Sequence, residues 1–329
     1  MDSFAGKLAV VTGGGSGMGR ELVIQLAAQG CSVAACDLNA DSVAETAART
    51  RAGLSRGARV TAHTCDVSDE AQVLRFRDQV LERHASDHVD LVFNNAGIGG
   101  GNSFLTDPRE VWERTFAVDW WGVYYCTRAF LPLLIASSEA VLVNTSSVNG
   151  FWATLGPGLP NTAYSAAKFA VKGFTEALIE DLRSSAPHVR VAVVMPGHVG
   201  TDIADNSRRV HGQPAPEDLS DADLEAVRAT MVRQGMPPAA VAAVPAGQLR
   251  QLVKQAADDY RDNAPLAAGP AATIILDAVR AGKWRILVGE DAQALDAQVR
   301  ANPETAYDHA VASKFGLTTT MRAARRVRT

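Results

Sequence analysis

The chain has 329 residues, of which 47% are hydrophobic, and a formal net charge of −4. A single α/β domain reaches this length when a segment is inserted into it. Because the small net charge is spread over both signs, nucleic acid is not expected as the main partner. No apolar run approaches the roughly 20 residues of a membrane span, and no basic-then-apolar leader precedes the first apolar run. We therefore expect no membrane partner and a cytoplasmic location.

The cysteines give no sign of a metal or redox site. Four are present, at Cys31, Cys36, Cys65 and Cys126. Their positions lack the CxxC spacing that is typical of such sites. We expect buried free thiols in a reducing compartment and no metal.

A glycine-rich segment at residues 12–19, TGGGSGMG, follows the apolar run at 8–11 and precedes a helical pattern. A strand, a glycine turn and a helix start in that order direct backbone N–H groups towards a pyrophosphate, with no Cβ in the way. Taken alone, such glycines also fit an ordinary turn. The segment is therefore a candidate dinucleotide site that needs further support.

Asp37 supplies that support. It ends a second apolar run, about 20 residues beyond the glycines, where a carboxylate accepts hydrogen bonds from the ribose hydroxyls of a dinucleotide and repels a 2′-phosphate. Neither Ser16 in the glycine loop nor Leu38 offers a positive charge. The sequence predicts NAD as the cofactor rather than NADP.

Tyr164 and Lys168 form the second informative feature. They are four positions apart in a segment of helix formers, so both side chains reach one face of a helix. A phenol has a pKa of about 10 and is a poor base at neutral pH, but a nearby cation lowers that pKa. Proton transfer needs such tuning. Taken alone, such a pair is more commonly a half-buried tyrosine beside a surface lysine on an amphipathic helix.

Short apolar runs alternate with helix-length patterns along the chain. We predict seven strands, over residues 7–12, 31–37, 58–65, 89–94, 139–146, 188–195 and 284–288. The runs are apolar on both faces, which is typical of a parallel sheet covered by helices on both sides. We therefore predict an α/β fold, a doubly wound seven-stranded parallel sheet of Rossmann type. Ligands of such sheets bind beyond the carboxyl ends of the strands.

The motifs together resemble those of the short-chain dehydrogenases/reductases, in a bacterial form with an extended C terminus. They recur in family order as TGGGSGMG at 12–19, Asp66-Val67, NNAG at 94–97, NTSS at 144–147, YSAAK at 164–168 and PGHVGT at 196–201. The resemblance is strong over residues 5–202 and weak over residues 265–290.

The resemblance implies an NAD-dependent oxidoreductase that interconverts a secondary alcohol and a ketone. Tyr164 would be the general acid/base, Lys168 would bind the nicotinamide ribose and lower the Tyr164 pKa, and Ser147 would hydrogen-bond the substrate oxygen. The implied cofactor contacts are Gly13, Ser16, Gly17, Met18, Gly19, Asp37, Asp66, Val67, Asn95, Gly97, Tyr164, Lys168, Pro196, Gly197, Val199 and Thr201. A homodimer or homotetramer built on helices at 108–135 and 162–186 is also implied. A catalytically quiet nucleotide-binding member of the same fold is the alternative.

One departure from the family pattern is Asp119, which stands where the family usually has asparagine. If the family asparagine acts through its backbone carbonyl, Asp119 keeps that role. Its carboxylate could also pair with Lys168 and weaken the effect of the lysine on Tyr164. We count Asp119 among the candidate catalytic residues, with a structural role in bending the helix as the alternative.

A second departure is the apolar aromatic loop at 151–158. Seventeen positions separate Ser147 from Tyr164, more than is usual in the family, and this loop supplies the extra residues. It predicts a hydrophobic or aromatic alcohol or ketone as the small-molecule substrate. Phe151 and Trp152 fit equally well in the core.

The pattern changes between about residues 203 and 265, where prolines punctuate helical segments such as 221–234 and 247–260. We predict a helical insertion after the sixth strand, within a catalytic domain of residues 1–290 that is followed by a C-terminal extension at 291–329. An insertion at this place would cover the substrate as a lid. A role in packing or subunit contacts is the alternative.

The C terminus is basic. Five cations gather in its last sixteen residues, at Lys314, Arg322, Arg325, Arg326 and Arg328. Such an end is usually a solvated terminus. We assign it no function.

Overall fold

A seven-stranded parallel sheet forms the centre of the molecule in a computed structural model that describes residues 1–54 and 57–315. The strands are β1 (Leu8–Thr12), β2 (Ser32–Asp37), β3 (Val60–Thr64), β4 (Leu91–Asn94), β5 (Ala140–Thr145), β6 (Val189–Pro196) and β7 (Arg285–Val288). Their order in the sheet is β3-β2-β1-β4-β5-β6-β7, and every neighbouring pair is parallel. The predicted fold class is confirmed. The strand order reverses between β1 and β4, which opens a crevice at the carboxyl ends of these strands.

Helices cover both faces of the sheet. They are α1 (Gly17–Ala28), α2 (Ala40–Thr50), α3 (Glu70–His84), α4 (Arg109–Phe116), α5 (Gly122–Ala136), α6 (Thr162–Ser185), α7 (Ile203–Val210), α8 (Asp221–Arg233), α9 (Pro238–Ala242), α10 (Ala246–Asp262), α11 (Ala268–Arg280), α12 (Glu290–Ala301) and α13 (His309–Phe315). A π-helical turn, Ala117–Trp121, joins α4 to α5.

The alternation of side chains along the buried strands divides the core into two layers. Val11 of β1 belongs to a cluster with Leu26 of α1 and Ile275 of α11. Val10 points to the opposite face and belongs to a cluster with Phe76 of α3, which further side chains of α5 and α6 complete. The four cysteines are all buried free thiols, as the sequence predicts.

The segment between β6 and α11 forms a helical layer with a small core of its own. Leu224, Met231 and Leu249, from α8 and α10, are buried together there. A short parallel ladder pairs Val199–Gly200 with Leu266–Ala267 and closes the base of this segment. The two helices predicted in it are present as α8 and α10, while the predicted domain boundaries stay predictions.

The C-terminal extension packs against the loop at 151–158. The indole N–H of Trp152 donates to the Ala306 carbonyl at 2.8 Å, and the backbone N–H of Ala153 donates to the Tyr307 hydroxyl at 3.0 Å. Trp152 is 2% exposed and clusters with Leu295 of α12. It is therefore a core residue that fixes the loop.

The basic cluster expected at the C terminus lies largely outside the described residues. Lys314 belongs to α13. The arginines of the cluster, Arg322, Arg325, Arg326 and Arg328, follow the last described residue. Among the helices of the described ranges, none is both long and apolar enough to cross a bilayer.

We expect Trp152→Ala to lower the free energy of unfolding by about 3 to 5 kcal/mol, the range for removing a buried aromatic side chain. Urea unfolding followed by circular dichroism measures the change. The matched control is Trp284→Ala, which removes an indole that is 45% exposed and should cost about 1 kcal/mol or less. Equal losses in the two variants would contradict the buried role of Trp152.

Candidate active site

Two connected cavities open at the carboxyl ends of the strands. The first has a volume of about 390 Å³ and lies over β1, β2 and β4. The second, of about 460 Å³, lies over β5 and β6. Both are lined by Met18, Asn95, Gly97, Thr201 and Ile203. A ligand can therefore extend from one cavity into the other.

The glycine loop forms the floor of the first cavity. Gly13 and Gly17 have φ angles of +66° and +50°, in the left-handed region that favours glycine. A Cβ at Gly13 would lie 2.9 Å from the Ala96 Cα, and one at Gly17 would lie 2.9 Å from the Thr201 Cγ2. Since α1 begins at Gly17, the free N–H groups of its first turn lie beside the loop. This arrangement fits the pyrophosphate of a dinucleotide.

Asp37 lies at the β2 end of the first cavity. Its Oδ2 accepts a hydrogen bond from the Gly15 N–H at 2.9 Å, and its Oδ1 accepts one from the Asn39 N–H at 3.0 Å. The next residue, Leu38, is 47% exposed and also lines the cavity. These contacts hold a carboxylate at the position where the sequence predicts the adenosine ribose.

The other predicted cofactor residues divide between the two cavities. The first cavity contains Gly13, Ser16, Gly17, Asp37, Asp66 and Val67 in its wall, and the second contains Tyr164, Lys168, Pro196, Gly197 and Val199. Gly19 lines neither cavity. A Cβ at Gly19 would lie 2.0 Å from the Gly13 carbonyl oxygen, so this glycine lets α1 pack beneath the loop. In the structure, Gly19 therefore serves the packing of α1 against the glycine loop.

Ser147, Tyr164 and Lys168 share the wall of the second cavity. Tyr164 and Lys168 lie on α6, with the lysine Nζ 5.3 Å from the centroid of the tyrosine ring. Ser147 follows the end of β5. Burial raises the pKa of the Tyr164 phenol far above its ordinary value, the charge of Asp119 raises it further, and a hydrogen bond with Ser147 opposes both effects. The resting phenol is therefore protonated at neutral pH.

Asp119 lies behind Lys168, in the π-helical turn, and is fully buried. Its Oδ1 is 2.9 Å from the Lys168 Nζ and accepts a hydrogen bond from the Ile98 N–H at 3.3 Å. The lysine also donates to the Thr145 carbonyl at 3.2 Å. Burial raises the pKa of the Asp119 carboxyl to about 6, against the opposing effect of Lys168. Asp119 lines neither cavity, so its carboxylate acts on the site through its contacts with Lys168 and Ile98 and through its charge.

Several residues of the second cavity carry no motif and were missed by the sequence analysis. They are Arg208 of α7, His211 directly after that helix, Tyr260 of α10, and Asp291 and Leu295 of α12. The Tyr260 ring packs against His198, with ring centroids 4.2 Å apart, and the His198 N–H donates to Asp291 at 2.7 Å. These residues come from the insertion and the extension. The sequence of these segments contains no motif that would identify individual functional residues.

The loop at 151–158 also contributes to this cavity, through Trp152, Thr154 and Leu155. Trp152 is thus both a core residue and part of the cavity wall. Phe151 is partly buried and packs against the same cluster as Trp152. The two interpretations of the loop, as core and as cavity wall, both hold for its tryptophan.

A family model described as short chain dehydrogenase matches residues 7–211. The chain belongs to the short-chain dehydrogenase/reductase family, and it is an oxidoreductase of that family. It is similar to the protein named as oxidoreductase SadH in Mycobacterium tuberculosis, with 40% identity over 65% of this chain and 74% of that protein. It is also similar to epidermal retinol dehydrogenase 2 of Mus musculus, with 36% identity over 60% of this chain and 62% of that one.

Solved structures extend the similarity beyond the family model. A short-chain dehydrogenase/reductase from Burkholderia phymatum, in complex with NAD, is 30% identical and has a TM-score of 0.71 over 93% of this chain and 95% of that one. A metagenomic short-chain oxidoreductase in complex with NADP is 29% identical, with a TM-score of 0.52 over 64% of this chain and 93% of that one. The first similarity thus covers a larger share of the chain than the family model does.

We expect Asp119→Asn to shift the alkaline-rising limb of alcohol oxidation to lower pH, by on the order of one pH unit. The exchange removes a negative charge that disfavours the Tyr164 phenolate and frees Lys168, so the Tyr164 pKa falls. The pH dependence of kcat/KM measures the shift.

The control for this experiment is Asp277→Asn, which removes a carboxylate that is 63% exposed on α11 and should leave the profile unchanged. An unchanged profile in Asp119→Asn would mean that only the backbone of Asp119 matters. A shift to higher pH, or loss of activity, would mean that Asp119 relays the proton itself.

Proposed function

We propose that the protein is an NAD-dependent oxidoreductase that interconverts a secondary alcohol and a ketone with an apolar body. The observation that carries this proposal is the junction of the two cavities. The glycine cradle leads, past Met18 and Gly97, into the cavity that holds Ser147, Tyr164 and Lys168. A dinucleotide in the cradle would thus place its reactive end beside a hydroxyl, a phenol and an ammonium.

The bound cofactor would accept a hydride in alcohol oxidation or supply one in ketone reduction. The Ser147 hydroxyl donates a hydrogen bond to the substrate oxygen and stabilises the charge that develops there. Tyr164 gives its proton to that oxygen during reduction and takes one from it during oxidation. Since the resting phenol is protonated, reduction proceeds readily at neutral pH, whereas oxidation accelerates as the pH rises.

Lys168 has two tasks in this scheme. It binds the nicotinamide ribose, and its charge supports the ionised form of Tyr164. Asp119 holds the lysine in place and weakens this support, because the buried carboxylate is the nearer partner of the ammonium. This weakening of Lys168 by Asp119 is the observation that favours the alternative, a catalytically quiet nucleotide-binding protein.

NAD is favoured over NADP by the surroundings of Asp37. The carboxylate would accept hydrogen bonds from the ribose hydroxyls and would repel a 2′-phosphate. Two arginines line the same cavity, Arg114 and Arg209, but Arg114 is paired with Asp66 at 2.8 Å. The related structures include complexes with either cofactor, so this proposal rests on Asp37.

The wall of the second cavity supports an apolar substrate body. Val148, Trp152, Leu155 and Leu295 line it. The name of the related retinol dehydrogenase describes oxidation of an alcohol. We also propose the predicted homodimer or homotetramer, since the helices expected at the interface expose large apolar side chains, among them Trp121 and Phe169 at 41% and 42%.

We expect Tyr164→Phe to lower turnover at least about a hundredfold, because a positioned acid/base contributes that much or more. NAD binding should stay nearly unchanged, since the variant loses only one hydroxyl. A screen of aromatic and alicyclic secondary alcohols, followed by the absorbance of reduced NAD, identifies a substrate for the comparison. Retention of a tenth of the wild-type rate would exclude Tyr164 as the acid/base, and no turnover of any alcohol by the wild type would favour the quiet alternative.

We expect the wild type to bind NAD more tightly than NADP, and Asp37→Ala combined with Leu38→Arg to move the preference towards NADP. The double variant removes the repulsion of a 2′-phosphate and adds an attraction. Fluorescence titration with each cofactor measures the ratio of dissociation constants. Asp41→Ala with Leu74→Arg serves as the control, because it makes the same exchanges outside both cavities. Equal binding of both cofactors by the wild type would end the argument from Asp37.

A further inference from the structure

Helix α7, the first helix of the insertion, separates the two cavities. Three residues of the helix line the first cavity, Asn206, Arg209 and Val210, and three line the second, Ala204, Ser207 and Arg208, while Ile203 lines both. The helix is fixed on both sides. Asn206 donates to the Ser16 hydroxyl at 3.0 Å, and the Gly99 N–H donates to the Ser207 hydroxyl at 2.7 Å. Arg208 is therefore presented to the substrate cavity by a helix that is held in register.

Arg208 is unusual among the charged groups of this cavity. Its Nε is buried without a hydrogen-bond partner, and its guanidinium makes no hydrogen bond or salt bridge with any residue in 1–54 or 57–315. The residue as a whole is partly exposed, so its terminal nitrogens remain accessible from the cavity that Arg208 lines. The terminal nitrogens of an arginine held in this way form a planar fork that matches a carboxylate.

The other charged side chains that line the cavity already have partners. Lys168 is paired with Asp119, and Asp107 accepts hydrogen bonds from the N–H groups of Asn102 and Ser103 at 2.7 and 3.2 Å. Since these two groups are already paired, we regard Arg208 as the charged residue that is available to bind a ligand.

Asp291, the remaining carboxylate, is closed off from the cavity on one side. Its Oδ2 accepts the His198 N–H at 2.7 Å. Its Oδ1 is buried and has no hydrogen-bond partner. This oxygen packs tightly against Gly197 and Gly289, since a Cβ at either glycine would lie 2.4 Å from it. The carboxylate also lies in the first turn of α12, where the helix dipole stabilises a negative charge.

We propose that Arg208 binds a carboxylate of the substrate, at the end remote from the carbinol carbon, so that the substrate is a hydroxy or oxo acid with an apolar body. This inference rests on the proposed function, whose substrate class it narrows. A single carboxylate suits the cavity better than a phosphate, because Asp107 and Asp291 lie in the same wall and oppose a second negative charge. The apolar residues of the loop at 151–158 would enclose the body between the two ends.

The test compares 4-acetylbenzoate with its methyl ester, two aryl ketones that share one skeleton and differ in charge and in the ester methyl group. With reduced NAD, we expect the wild type to show a kcat/KM at least about tenfold higher for the acid, as a charge-assisted bidentate contact provides. Arg208→Gln should abolish this preference through the KM of the acid and leave the ester within about twofold. Arg208→Lys should keep part of the preference, because a point charge remains. Arg233→Gln, the same exchange at an exposed position of α8, should behave as the wild type.

Equal use of acid and ester by the wild type would overturn the proposal, as would a loss in Arg208→Gln that is the same for both ketones. Weaker NAD binding by Arg208→Gln would overturn it too, since the arginine would then serve the cofactor. Titration of both ketones into the NAD-bound protein, followed by tryptophan fluorescence, separates the two proposals. If the acid binds in an Arg208-dependent way but neither ketone is reduced, the proposed NAD-dependent ketone reduction fails and the carboxylate site stands. If the ester is reduced and the acid does not bind, the carboxylate site fails alone.

Discussion

The burial of both faces of the parallel sheet is the constraint on which the rest of the structure depends. Strands such as β1 and β5 are buried along their whole length, so their interiors can hold few polar groups. The functional side chains are therefore confined to the carboxyl edge, where the strands end and backbone N–H groups become available. The reversal of strand order between β1 and β4 then separates the loops enough to admit a ligand. Both cavities follow from this one arrangement.

The electrostatics of the site depend on a second feature, the buried pair of Lys168 and Asp119. In water an isolated pair contributes little, but in a buried position each charge strongly affects its neighbours. The pair holds the ammonium beside the Tyr164 ring and, at the same time, places a negative charge near the phenol. The same carboxylate thus orients Lys168 and raises the pKa of Tyr164.

The insertion and the C-terminal extension complete the substrate cavity from two directions. Helix α7 contributes polar side chains to the second cavity, and the hydrogen bond between Asn206 and Ser16 ties it to the glycine loop. The extension anchors the loop at 151–158 through Trp152 and supplies Leu295 to the wall. The family motifs supply Ser147, Tyr164 and Lys168 to the wall of this cavity, and these two segments supply much of the rest of it.

The sequence by itself determined the sheet, the glycine cradle and the positions of Ser147, Tyr164 and Lys168, because these depend on local patterns. Apolar runs predict strands, glycines with positive φ mark the cradle, and a spacing of four on a helix brings two side chains to one face. Only the tertiary structure decided what Asp119 contacts and which residues close the cavity. Arg208 lies forty positions beyond Lys168 in a segment without motifs, and it reaches the site because α7 packs across both cavities. Contacts between distant segments depend on packing, which leaves no periodic signal in the sequence.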